Sequence, residues 1–315
     1  MSHQAAERRS AMAAAALGRS PSATYSANDT TLCAITGEIL DISPHLIILE
    51  TPEGVEKRLV MAPWTTAWRG STTSPNDLPV GAQVILRTQR AGRVVDRIWA
   101  DVTRVNGIIL SINGGPKDRT VEVDCGPHRG RRTVSIPYQT SGRIQVRHPQ
   151  FEPGYLFDVI GLREEGVVSA RTPATSQPPY KATAIPPASR VYGSVPSRIS
   201  GTATWYDAYF ENGNRGAAYP MLEEADTGCA DGGVSCAGLP YLAIGSLLYV
   251  RNVCTGRAAA VPIVECGCLT GKFCDRCVEC GTSPRGRIVD LPPTTFVELG
   301  GDLTSGCFNA RIGLG

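Results

Sequence analysis

The stretches GTATWYD (residues 201–207), AGLPYLAIGSLLYVRN (237–252) and GRIVDLPPTTFVELG (286–300) follow one another in that order and decide the reading of the last third of the chain. Residues 202–206 are dense in β-branched and aromatic side chains, and residues 247–253 form a short apolar run beside Gly245 and Asn252, so both are predicted strands. Residues 287–291 alternate Ile288 and Asp290 with their neighbours as a third strand. Pro292 and Pro293 then open a short helix over 294–299 that Gly300 and Gly301 close. Asp290 stands where a strand meets a turn, a junction from which a rigid scaffold projects accessible side chains. Its alternative role there is to cap the following helix or to satisfy turn donors.

At 315 residues the chain is long for one core, and two or three domains are expected. A net charge of +2 demands neither nucleic acid nor an anionic membrane, and nucleic acid is not an expected partner. No run of 18 apolar residues occurs, so no transmembrane helix is predicted. Nine of the eleven cysteines lie between Cys229 and Cys307, a density that points to disulfides and to a secreted or cell-envelope location. Residues 1–32 read as a disordered tail or a weak leader, with Arg8 and Arg9 before a short alanine-rich run.

Upstream of the last third the chain repeats itself. ITGEILDI (35–42) matches VNGIILSI (105–112), and LPVGAQVILRTQRAGRVV (78–95) matches EPGYLFDVIGLREEGVV (152–168). Short alternating strands with Gly and Pro turns predict two tandem small β-barrels of OB or SH3-like kind, at 33–104 and 105–172. Residues 173–198, rich in Pro, Ser, Thr and Ala, read as an extended spacer holding a final domain, 199–315, away from the barrels. The basic stretch His128, Arg129, Arg131 and Arg132 is either a solvated hairpin or an anion-binding surface. Trp64, Trp68 and Tyr138 are either packing residues or an aromatic platform. His45, His128 and His148 lack spaced partners and are expected to be ordinary surface or strand residues.

Residues 199–315 resemble the RlpA-like and expansin-like proteins, through ATWY, AGLPYLAIGSLLYVRN and VDLP. The resemblance implies a mainly β chain ending in a six-stranded double-psi β-barrel, with cell-wall polysaccharide, peptidoglycan above all, as the partner. It places the family's Thr and Tyr at Thr204 and Tyr206, its strand-end Asp at Asp290, and its second acidic residue at Glu265. The chain departs from the family pattern at Glu265, Cys266, Cys268 and Pro292, and it has no histidine beyond His148. Two activities stay open: binding of wall glycan without cleavage, and lytic transglycosylase chemistry with Asp290 and Glu265 as the acid–base pair. Binding would set the apolar faces of Trp205, Tyr206, Tyr209 and Phe210 against pyranose rings while Thr204 and Asp290 hydrogen-bond hydroxyls. Strand alternation puts Thr204 and Tyr206 on one face and Trp205 in the core.

Between Glu265 and Asp290 lies CGCLTGKFCDRCVEC (266–280). Cys274 and Cys277 have zinc-ligand spacing, and Cys266 or Cys268 with Cys280 would complete a thiolate site. Disulfides are the competing and preferred account, which leaves no cofactor expected and a structural or zinc module as the further alternative.

Overall fold

A computed structural model describes residues 31–115, 117–184, 198–207, 216–223, 237–267 and 269–314. The described residues are mainly β and form three closed barrels.

The first contains β1 (Cys33–Ser43), β2 (Leu46–Glu50), β3 (Glu56–Trp68), β5 (Gln83–Gln89) and β6 (Val94–Ala100), with the two-residue β4 (Thr72–Thr73) appended to β3. Pairings run β1–β2–β3–β6–β5–β1, and β3–β6 is the parallel contact. The second barrel repeats that circuit as β7–β8–β9–β11–β10–β7, again with one parallel contact, β9–β11. Its strands are β7 (Val102–Asn113), β8 (Asp118–Asp124), β9 (Arg131–Pro137), β10 (Leu156–Glu164) and β11 (Val167–Pro173), and helix α1 (Tyr138–Arg147) joins β9 to β10.

The duplication extends to single residues. A bulge falls between Ile39 and Asp41 in β1 and between Ile109 and Ser111 in β7. A Cβ on Gly37 would lie 2.4 Å from the Glu50 carbonyl oxygen, and one on Gly107 would lie 2.1 Å from that of Asp124. Only glycine fits either crossing. Both matched sequence pairs fall on corresponding strands, since the repeated glycine and the repeated apolar alternation are what this barrel requires.

The third barrel closes as β12–β16–β13–β15–β14–β17. Its strands are β12 (Arg198–Trp205), β13 (Ala217–Ala218), β14 (Leu247–Asn252), β15 (Ala258–Glu265), β16 (Arg287–Leu291) and β17 (Cys307–Leu314). Contacts β12–β16 and β13–β15 are parallel, whereas the other four are antiparallel. Exchanging β12–β14 with β15–β17 leaves this order unchanged, so the circuit has an internal twofold. The predicted helix is α2 (Pro293–Glu298). Gly300 donates to Val297 O and Gly301 to Phe296 O, with Gly300 at φ +84°, the left-handed turn that ends a helix on glycine.

The expected separation between the second and third barrels does not occur. One apolar cluster contains Trp68 and Trp99 of the first barrel, Val102 and Ile160 of the second, and Trp205, Phe296 and Phe308 of the third. Each such fully buried side chain contributes roughly 1.5–3 kcal/mol, far more than a spacer composition can oppose. From residue 174 to residue 184 the proline-rich segment forms no helix or named strand, only a bridge between Lys181 and Tyr155, but it is pinned. Ala174 and Gln177 donate their backbone N–H to Asp158 O and Arg147 O, and Tyr180 donates its hydroxyl to Lys272 O. The two ends of the expected spacer, Pro173 and Arg198, lie in β11 and in a later strand, and composition carried no information on these partners. The rest of the expected spacer, 185–197, lies outside the described residues.

A buried charge network crosses the same junction. Asp158 on β10 receives Arg104 of β7 through Nε at 2.8 Å and Nη2 at 2.7 Å, Thr175 Oγ1 at 2.6 Å, and Arg287 Nη2 of β16. Arg104 Nη1 also donates to the carbonyls of Trp205 at 2.7 Å and Gly306 at 2.9 Å, both in the third barrel. Asp275 stands 3.4 Å from Arg287, so two guanidiniums and two carboxylates balance. A network buried this fully is tolerable only because each charge has an opposite partner.

Cys254 pairs with Cys280 and Cys277 with Cys307. Cys266 and Cys274 are also disulfide-bonded, so four of the five thiolates proposed for zinc are committed elsewhere, and Cys268 lies outside the described residues. The Cys277 bridge ties the inserted loop to β17, where the short regular structure of residues 266–286 could not hold it alone. No helix among the described residues is long and apolar enough to cross a membrane.

His148 is 1% exposed, and neither ring nitrogen has a hydrogen-bond partner. Its ring packs 5.2 Å from Phe157. Burial pushes its pKa down to about 4, Arg147 adding to the effect and Asp158 opposing it. Between that value and the ordinary pKa of about 6.5 the unfolded chain binds the proton and the folded one does not. The His148 contribution is therefore complete above about pH 6.5 and declines as pH falls toward 4. His148→Phe should flatten the dependence of melting temperature on pH across that window, and an unchanged slope would rule the assignment out.

Candidate functional site

Strand register assembles the carboxylates. Asp290 at the end of β16 is paired with Thr204 on one side and with Ala218 on the other, and Ala218 is itself paired with Glu265 at the end of β15. Asp290 and Glu265 thus flank one alanine, two strand spacings or about 10 Å apart in backbone. The small side chain between them leaves room for a cation.

That cation comes from the second barrel. Arg129 Nη1 donates to Asp290 Oδ2 at 3.3 Å, and Nη2 donates to Glu265 Oε1. Its guanidinium lies 4.3 Å from the centre of the Tyr206 ring. The remaining Asp290 oxygen, Oδ1, accepts from Thr204 Oγ1 at 2.9 Å. Burial works against the Arg129 charge, but the Asp290 and Glu265 carboxylates outweigh it and hold the guanidinium above its ordinary pKa.

The hairpin that presents Arg129 is closed on itself. Gly130 N donates to Gly126 O at 2.8 Å, Cys125 N to Gly130 O at 2.9 Å, and Gly126 N to Asp124 Oδ1 at 2.9 Å. Gly126 and Gly130 adopt φ of +94° and +64°, values that the turn needs and other residues resist. Arg129 is therefore delivered from a preformed turn.

Beside it opens a small polar cleft of about 120 Å³ between the second and third barrels, walled by Asn106, His128, Arg132, Tyr206, Asp207 and Glu265. Asp207 is already paired with Arg163 and accepts Thr103 Oγ1 at 2.7 Å. Cys125 lines the back, where burial pushes its thiol up to about 12 and keeps it protonated at neutral pH.

The structure brings together Asp290, Glu265, Thr204 and Tyr206, while Tyr209 and Phe210 lie outside the described residues. Trp205 points into the core, with its indole N–H donating to Leu303 O. Two expectations need correcting. Asp290 is fully buried rather than projecting, because Thr204, Thr270 and Arg129 enclose its carboxylate. It also makes no capping bond to α2, whose N-cap is Pro292. Arg129 was legible in sequence only as part of a basic stretch, and the glycines on either side were the signal of a fixed turn. Trp64 and Tyr138 are both 65% exposed, whereas Trp68 is buried.

No family model matches the chain, and no curated protein is significantly similar to it.

Proposed function

We propose that the protein is a secreted or envelope-located, wall-polysaccharide-engaging protein that binds glycan at the cleft between its second and third barrels. The reading treats the first two barrels as OB-like, since both run strand order 1-2-3-5-4-1 with one parallel contact, and the third as a double-psi barrel, supported by the twofold of its circuit. Disulfides in the third barrel favour an oxidising location.

The observation that carries binding over cleavage is the Arg129 bridge. A general acid must present a proton to the leaving oxygen, and here one guanidinium occupies both carboxylates. Held in this way, Glu265 stands in the polar wall of the cleft next to the Tyr206 ring, an arrangement suited to hydroxyl recognition, while the buried Asp290 braces Arg129 from behind. The lytic reading keeps one observation in its favour: Thr204 and Asp290 are hydrogen-bonded at the strand end where the family resemblance places them.

The test is incubation of the full chain with peptidoglycan sacculi and with cellulose, followed by pelleting and by mass analysis of the supernatant. We expect pelleting with sacculi, no released fragments, and weaker pelleting by Arg132→Ala, which alters the cleft mouth without touching the ion pairs. Anhydro-sugar release by the wild type would replace binding with catalysis. Failure to pellet with either polymer would remove the wall reading.

A further inference from the structure

The outer face of the third barrel carries charge that the fold does not explain. Burial alternates along β14, so that Leu247, Tyr249 and Arg251 face outward. Register sets Arg251 directly opposite Arg311 of β17 and Tyr249 opposite Gly313, which in turn faces Arg198 of β12. Like charges directly opposed across an antiparallel pair are destabilising. Neither Arg251 nor Arg311 forms an ion pair among the described residues; Arg311 Nε has only Ser200 Oγ, at 3.4 Å. Strands β12, β14 and β17 contain no acidic residue at all.

Three exposed guanidiniums therefore share one sheet face with no counter-charge in it. Tyr249 stands among them, 54% exposed and flanked by Ala260 and Gly313, residues too small to cover its ring. A fold gains nothing by opposing two arginines, whereas an anionic ligand laid across them turns the repulsion into paired charge-assisted hydrogen bonds. The open ring beside them adds an apolar surface of the kind that stacks on a pyranose.

We propose that this face is a second glycan-binding surface, selective for acidic polysaccharide, in which Arg198, Arg251 and Arg311 take the carboxylates and Tyr249 takes a sugar ring. For the polymer class it rests on the wall-glycan reading, but it shares no residue with the cleft between the second and third barrels.

The experiment measures binding of the full chain to polygalacturonate, to neutral amylose and to single-stranded DNA, at low and high salt. The wild type should bind polygalacturonate in preference to both others, and salt should weaken it. Arg251→Ala with Arg311→Ala should reduce that affinity by about tenfold or more, as expected for lost charge-assisted bonds. Tyr249→Ala should weaken it, Arg251→Lys with Arg311→Lys should retain most of it, and Arg58→Ala, at an exposed arginine of the first barrel, should leave it unchanged.

The alanine pair should melt no lower than the wild type, because repulsion has been removed; if it nevertheless unfolds, each single alanine variant must still weaken binding. No binding by the wild type, binding indifferent to the arginines, or tighter binding of DNA through them would overturn the proposal. Absence of sacculus pelleting with polygalacturonate binding intact would remove the wall reading alone.

Discussion

Asp158→Ala should lower the unfolding free energy by about 3–5 kcal/mol, the cost of removing one partner from a fully buried charge network. Asp158 is the only carboxylate that both Arg104 and Arg287 contact among the described residues, and all three side chains are fully buried. Without it, Arg287 keeps Asp275 alone, and Arg104 has no carboxylate partner among the described residues. Thr175→Val removes the hydrogen bond that the hydroxyl donates to the same carboxylate and the one it accepts from Arg287 Nη2 at 3.1 Å, and should cost about 1–3 kcal/mol. Denaturant unfolding measures both, and a loss below about 1 kcal/mol for Asp158→Ala would mean that the network adds nothing beyond its packing.

The pH dependence has a definite sign. Burial opposes the Asp158 charge, but Arg104 and Arg287 overcome it and hold the carboxyl well below the ordinary carboxylate range. A folded pKa under the unfolded value of about 3.9 contributes stability that is complete at neutral pH and is lost as pH falls below about 4 toward the folded pKa. Asp158→Asn should therefore be less stable at neutral pH and show a shallower acid limb. Because Arg104 belongs to the second barrel and Arg287 to the third, the loss falls on their junction.

How far the sequence reached differs between elements for a physical reason. Strand and helix positions near Asp290 were legible because the alternation of residues 287–291 and the prolines and glycines around 292–301 act locally. The barrel duplication was legible because Gly37 and Gly107 meet the same backbone crossing. Partners far apart in sequence were not. Asp158 and Arg287 are separated by 129 residues, and Arg129 and Asp290 by 161, and no local pattern encodes such pairings. For the same reason the proline-rich segment looked like a spacer: its composition describes its backbone, whereas its attachment depends on Asp158, Arg147 and Lys272 elsewhere.

Arg129→Ala is the substitution that most sharply divides the two readings of the site. It removes the counter-ion of a fully buried carboxylate, so it should destabilise the protein by about 3 kcal/mol, the scale for breaking a buried pair. Asp290→Asn in the same chain removes the stranded charge, and the double variant should regain most of the loss. A double-mutant cycle then yields a coupling of about 2 kcal/mol or more, because the two groups are in direct contact. Coupling near zero would mean that the guanidinium and carboxylate are neighbours without energetic consequence. Sacculus digestion with the same variants addresses function. If Arg129 holds a binding wall in place, Arg129→Ala pellets less and releases nothing. If Arg129 instead silences a competent acid, Arg129→Ala releases anhydro-sugar fragments that disappear again in the double variant. The geometry favours the first outcome, since the turn at 126–130 is closed by its own hydrogen bonds and by two glycines in the left-handed region. A loop built that rigidly is suited to keeping a guanidinium in position and poorly suited to withdrawing it once per turnover.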